Sequence, residues 1–316
     1  MVIKRIEKKL DVFTKTLKLM GNRFALTAVA EVESIAESQI DFGVAEIQRI
    51  EKLLTTFSDY SQTNQINSQA GIAPVKVDAE VFDLIARANR ISDITQGAFD
   101  ISYGSIDKSL WNFDINMTKL PDAETARNAV KLINYKNIEL DPINSTVFLK
   151  FKGMRIGFGG IGKGYAAERA KMVMKQQGAQ SGIVNASGDL TAWGQQPDGS
   201  NWTVGVVNPD LKNEAFSYMS ITGLAVATSG NYEKYAVIDG KKYSHTINPR
   251  TGLPVSGIKS VTIISTNAEI ADAMATPVMI MGIRAGLDMV NQIKDLEAII
   301  IDDYNRLYTS NNINIK

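Results

Sequence analysis

Cysteine is absent from the 316 residues. Disulfides, thiolate nucleophiles and sulfur-ligated metal sites are excluded with it. Histidine occurs once, at His245, so a multi-histidine zinc site is excluded as well. Any metal site must therefore be built from oxygen ligands, which suit Mg2+ or another hard cation. Net charge is missing too, because 34 Lys and Arg residues meet 34 Asp and Glu. Binding a nucleic-acid backbone calls for a basic excess or a basic face, so this balance argues against nucleic acid as the main partner. It leaves open a local cationic pocket for a nucleotide. No apolar run reaches membrane-spanning length, and charges break up Met1–Leu10 too often for a signal-peptide core. As given, the chain reads as unexported and without a membrane span; a chain trimmed of a leader would read the same.

What is present is the composition of an ordinary globular protein. An apolar share of 44% against 22% charged supports a core without staples. The length suits one large domain or two closely joined lobes, here read as a single domain over 1–316 with lobes of about 18–150 and 151–316. Phe24–Val32 has the alternation of a strand. Ala45–Phe57 reads as a helix on Ile47, Ile50, Leu53 and Leu54, ending in a polar loop over Ser58–Gln69. Asp78 fits the N-cap of a helix through Thr95, with Val81, Leu84, Ile85 and Ala88 on one face. Asp122–Ile133 reads as helical, and Ile138–Phe151 as a hairpin turning at Pro142. Strand signals dominate after that, interrupted by helices at Lys163–Gln177, Ala268–Met281 and Arg284–Ile293. Adjacent strands without a regular βαβ repeat indicate an α+β fold.

Three segments carry the residue types of a chemical site. The first is Gly157-Phe-Gly-Gly-Ile-Gly-Lys-Gly164, between a strand and a helix. Glycine lets backbone N–H groups approach phosphate oxygens, a helix N-terminus adds a favourable dipole, and Lys163 could neutralise a phosphate charge. The spacing is not that of a P-loop, and a glycine-rich turn needed only for packing would look the same. The second is Ser244-His-Thr-Ile-Asn-Pro-Arg-Thr-Gly252, which sets the one imidazole, suited to proton transfer near neutral pH, before a polar turn. Arg250 there either binds an anion or braces the turn. The third is Ala271-Asp-Ala-Met-Ala-Thr276. Asp272 and Thr276 are four apart, so one helix face carries a carboxylate and a hydroxyl able to share a hard cation. The competing role for Asp272 is to stabilise a helix dipole, with Thr276 bonding back to its own backbone.

The order of these segments resembles the ApbE family, the FAD:protein FMN transferases, in which GGIxKGYA, a His-x-x-x-Pro-x-Thr-Gly segment and ADAxAT recur. Asn185-Ala-Ser-Gly-Asp189 resembles the family's NAGGD, Ala227-Thr-Ser-Gly230 its ATSG and Gly97-Ala-Phe-Asp100 its GAFD. Leu19-Met-Gly21 resembles the opening MGT, and Thr55–Asn67 a Ser- and Asn-rich loop. The resemblance runs over about residues 18 to 310.

The resemblance implies a two-lobed α+β architecture of mixed and antiparallel sheets with packed helices, and a flavin-binding cleft between the lobes. It implies Mg2+-dependent transfer of the FMN moiety of FAD to a Thr or Ser hydroxyl of an electron-transfer flavoprotein subunit, releasing AMP. It sets Met20, Phe57, Ala98, Phe99, Asp100, Gly157, Lys163 and Ile247 against FAD. His245 corresponds to the general base, and Asp272, Thr276 and the Gly160 carbonyl to the metal ligands. The chain departs from the family pattern at Gly157, where an Asp is usual and only backbone is left to contribute. Phe57 stands for a Tyr and Ser187 for a Gly. Two other readings share these residues: hydrolysis of FAD to FMN and AMP, and a non-catalytic FAD-binding protein. Members of the family commonly act at the bacterial envelope.

Overall fold

The computed structural model describes residues 9–107, 110, 117, 119–207, 215–231 and 235–313. Its centre is an eight-stranded sheet. In spatial order the strands are Asp11–Leu19, Asn22–Ala30, Gly182–Ala186, Asp189–Trp193, Ala225–Gly230, Ile258–Ser265, Leu296–Asp302 and Leu307–Thr309. Every neighbouring pair is antiparallel. Together with the helices this is the α+β class expected from the sequence. Strands from both sides of residue 150 share the sheet, since Asn22–Ala30 pairs with Gly182–Ala186.

The sheet is buried on both faces. Successive side chains of a strand point to opposite sides. Phe24, Leu26, Val184, Val261, Ile263, Ala298 and Ile300 enter the main core, while Val29, Leu190, Ile264 and Ile299 enter a second one with Trp202 and Ile221. The helices that touch the main core are α1 (Glu33–Leu54), α2 (Gln62–Ser68), α3 (Ala79–Ile94), α5 (Gly162–Gln176), α6 (Ala268–Met281) and α7 (Ile283–Val290). Helix α4 (Ala123–Ala129) stands apart beside a small third cluster of Ile106, Val130 and Ile247. Arg49 of α1 pairs with Glu46 on its own helix and with Glu80 of α3, and Arg169 of α5 pairs with the same Glu46. This ion-pair group ties three helices together at the surface.

Several elements differ from the sequence reading. Helix α1 starts at Glu33, not Ala45, because Ala36, Ile40 and Val44 continue the buried stripe toward the N-terminus. The polar stretch expected as a loop contains α2, capped by Ser61 Oγ, which accepts from Asn64 N at 3.1 Å. Strand Asp11–Leu19, unmarked in the sequence reading, sets Phe13, Leu17 and Leu19 on one face against the main core and pairs along its whole length with Asn22–Ala30. Met20 and Gly21, with φ of 49° and 73°, form the two-residue turn between them. Asp78 does precede α3 in extended backbone, but its side chain makes no capping bond. The hairpin near 142 is present, pairing Ile138–Asp141 with Thr146–Leu149.

Candidate active site

The site is organised where the N-terminus of α5 meets the side of α6. In a helix the first amides have no internal partner. Asp272, from α6, supplies one from outside: its Oδ2 accepts from Gly164 N at 2.8 Å. The carboxylate thereby sits at the positive end of the α5 dipole, a favourable place for negative charge. This contact needs the two helices to touch. A Cβ on Gly164 would stand 2.1 Å from the Ala268 carbonyl oxygen, so only glycine permits the approach.

Lys163, one residue earlier, lies between two carboxylates. Its Nζ donates to Asp189 Oδ2 and, at 3.2 Å, to Asp272 Oδ1. Both carboxylates are buried, at 8% side-chain exposure each. Burial pushes the Asp189 carboxyl up, and the neighbouring Asp272 charge pushes it further, against the pull of the Lys163 ammonium. For Lys163, burial opposes the charged form, but Asp272 and Asp189 outweigh it and hold the ammonium above the ordinary lysine range. Two carboxylates thus share one cationic partner, and the group keeps room for more positive charge.

Asp189 is the residue that sequence reasoning passed over, although the Asn185–Asp189 motif containing it was visible. It follows a two-residue hairpin turn, Ser187-Gly188, with φ of 57° and 105°. Asn185 Oδ1 accepts from Gly188 N and braces that turn. Asp189 Oδ1 accepts from Thr228 N at 3.3 Å, and Ser229 Oγ lies 3.1 Å from Thr276 Oγ1. The Ala227–Gly230 segment therefore touches both the Asp189 and the Thr276 ends of the site.

The glycine turn before α5 gathers two more of the expected residues, Met20 and Phe99. A Cβ on Gly162 would lie 3.6 Å from Met20 Cε, and one on Gly160 would lie 3.6 Å from Phe99 Cε2. Thr56, next to Phe57, is the nearest side chain to Gly157, and Phe57 itself is 98% exposed. Several amides of the turn are already used: Ile161 N and Gly162 N both donate to Phe158 O, and Gly157 N to Ile101 O. The packing role of the glycines is thus concentrated at Gly164. A Cβ on Gly159 would meet nothing within 4 Å, so packing gives no reason for glycine there.

Ala98, Phe99 and Asp100 are buried. The Asp100 carboxylate accepts from Ser102 N, Ser102 Oγ and Tyr135 N, at 2.8, 2.6 and 2.7 Å. Its side chain holds the loop together, which leaves the backbone of this run as what it can offer a ligand. His245 is exposed at the end of strand Lys241–Ser244. Ile247, two residues on, packs with Ile106 and Val130, and its backbone N–H donates to the Tyr103 hydroxyl. Arg250 donates to the Gln96 carbonyl, so it braces the turn ahead of Gly97–Asp100. Gly252 sits against α4, where a Cβ would meet the Ala126 carbonyl oxygen at 1.9 Å.

The donor set can be tested against a cation. Among the described residues no group of three or more His, Cys, Asp or Glu forms a metal cluster. What α6 offers beside the Asp272 carboxylate is the Thr276 hydroxyl one turn on, with the Gly160 carbonyl in the turn before α5. These are hard oxygen donors in a locally negative setting, and they fit a hard divalent cation that keeps some of its water.

The chain is similar to known proteins over most of its length. The family model described as the ApbE family matches residues 20–300. A Klebsiella pneumoniae protein named FAD:protein FMN transferase is 32% identical over 292 residues, covering 92% of this chain and 89% of that protein. A Salmonella typhimurium protein of the same name is 28% identical, covering 87% and 80%. Among solved structures, the ApbE protein of Thermotoga maritima superposes with a TM-score of 0.84 at 28% identity, covering 95% of this chain and 97% of that one. The apo flavinyl transferase ApbE of Pseudomonas stutzeri gives 0.82 at 25%, covering 98% and 97%.

Proposed function

The chain belongs to the ApbE family, and from that premise we propose that it moves the FMN moiety of FAD onto a Thr or Ser hydroxyl of an acceptor protein. The acceptor oxygen forms a bond to the FMN-side phosphorus, the bridging P–O bond breaks, and AMP leaves with the electron pair. The product is a phosphodiester-linked flavin on an electron-transfer subunit. The observation that carries this reading is the closure of Asp272 on the N-terminus of α5, with Lys163 and Thr276 beside it. It assembles negative oxygen donors and an ammonium next to a glycine turn, as handling a pyrophosphate requires.

Asp272, Thr276 and the Gly160 carbonyl would hold Mg2+, which when bound neutralises pyrophosphate charge as a Lewis acid. Met20, Phe57, the Ala98–Phe99–Asp100 run, Gly157 and Ile247 would lie along FAD, with Gly157 contributing backbone alone. Lys163 would stand close to the same nucleotide. His245 takes the proton from the acceptor hydroxyl, a task worth about 10²- to 10⁴-fold in rate. Its exposure suits a group that must meet a hydroxyl carried by another protein.

The test is transfer to an acceptor bearing the target Thr, with FAD and Mg2+. A flavin-fluorescent band that survives denaturing electrophoresis, and vanishes with EDTA, is the expected result. No band across several acceptors, with FAD bound, would overturn the assignment. Rapid AMP release without any acceptor would identify a hydrolase instead.

A further inference from the structure

Asp272 Oδ2 is occupied by the Gly164 amide, so Oδ1 is the oxygen that faces other partners. Lys163 Nζ already donates to that oxygen at 3.2 Å while also donating to Asp189. An ammonium and a divalent cation on one carboxylate oxygen repel each other. Lys163, however, has a second seat, because Asp189 is buried, close by and fixed by its hairpin and by Thr228 N.

We infer that Lys163 and the divalent cation exchange at Asp272, with Asp189 as the positioning residue that keeps Lys163 when the cation takes Asp272 Oδ1. This rests on the reading of Asp272 as a metal ligand. Loading is then a swap of countercharges: neither buried carboxylate is left without a positive partner at any stage, which would be costly in this setting. Asp189 sets how easily the swap runs. With an amide in place of the Asp189 carboxylate, Lys163 has one strong seat only and clings to Asp272.

Mn2+ binding to the full chain, followed by electron paramagnetic resonance, tests the exchange without reference to turnover. Lys163→Met is expected to bind Mn2+ about tenfold more tightly than the unsubstituted protein, and Asp189→Asn about tenfold more weakly. The factor lost on Asp189→Asn is expected to shrink when Lys163 is already Met, the mark of two residues acting through one contact. Unchanged or weaker Mn2+ binding in Lys163→Met overturns the exchange, as do equal Asp189→Asn factors in both backgrounds. Lys163→Gln, which keeps a neutral donor for Asp189, replaces Lys163→Met if that variant does not fold. Asp272→Ala separates the two levels. If it binds Mn2+ like the unsubstituted chain, the metal-site reading itself falls; if it loses Mn2+ while Lys163→Met shows no gain, only the exchange falls.

Discussion

A Cβ placed on Gly164 would stand 2.6 Å from Asp272 Cβ. The carboxylate that organises the site is therefore in contact with the helix it caps only because position 164 lacks a side chain. Gly164→Ala forces α5 and α6 apart against the Ala268 carbonyl. The expected cost is about 1–3 kcal/mol of stability, accompanied by loss of divalent-cation affinity. Thermal unfolding and Mn2+ titration check the two effects together, and an unchanged melting temperature would refute the argument.

Ser187 holds a φ of 57° in the turn that leads to Asp189. A left-handed backbone costs an L-residue about 1–2 kcal/mol, part of which glycine returns as chain entropy. Ser187→Gly should therefore stabilise the protein by about 0.5–1 kcal/mol. Denaturant unfolding is the measurement, and destabilisation would show that the Ser187 side chain contributes more than its backbone strain costs.

His245→Ala should lower flavin transfer by about 10²- to 10⁴-fold. It should leave FAD and Mn2+ binding close to normal, since the Asp272 site is built from other segments. Single-turnover transfer alongside equilibrium binding separates the outcomes; a normal rate would remove His245 from the role of base.

Acid stability depends on the ion-pair group joining α1, α3 and α5. Hydrogen bonds from Arg49 hold both Glu46 and Glu80 below the ordinary glutamate value of 4.5, against the opposing effect of burial. Because the folded pKa values are depressed, their contribution is present in full above about pH 4.5 and is lost as pH falls through the lower folded values. Arg49→Met should make unfolding less dependent on pH below that point and lower stability above it. Melting curves from pH 7 down to pH 3 in the two proteins give the comparison (pH values of roughly the range over which carboxylates titrate).

Much of the fold follows from local pattern. Helix α6 was legible to its last residue because Asn267, its side-chain cap, precedes a mostly small and apolar run, interrupted by Glu269, Asp272 and Thr276, that stops at Gly282. Helix α3 shows its buried stripe at helical spacing. Where local signals are weak, tertiary contacts took over. Gly43 lies inside α1 two residues before the start read from the sequence, and a Cβ there would press on Leu26 and Met174 at 2.9 and 3.0 Å, so it is a packing residue. Helix α2 has one apolar residue, Ile66, and is held besides by Asn67, whose side chain exchanges hydrogen bonds with the Ile156 backbone 89 positions away.

The chemical groups of the site, and their order, were determined by the sequence: one imidazole, no thiol, and a carboxylate and hydroxyl four residues apart on a helix. Which of them share charge was decided by the tertiary structure alone. Lys163 meets Asp272 across 109 positions and Asp189 across 26. No periodicity records such a meeting; it arises from a glycine that lets two helices touch and a hairpin that turns a third residue toward them.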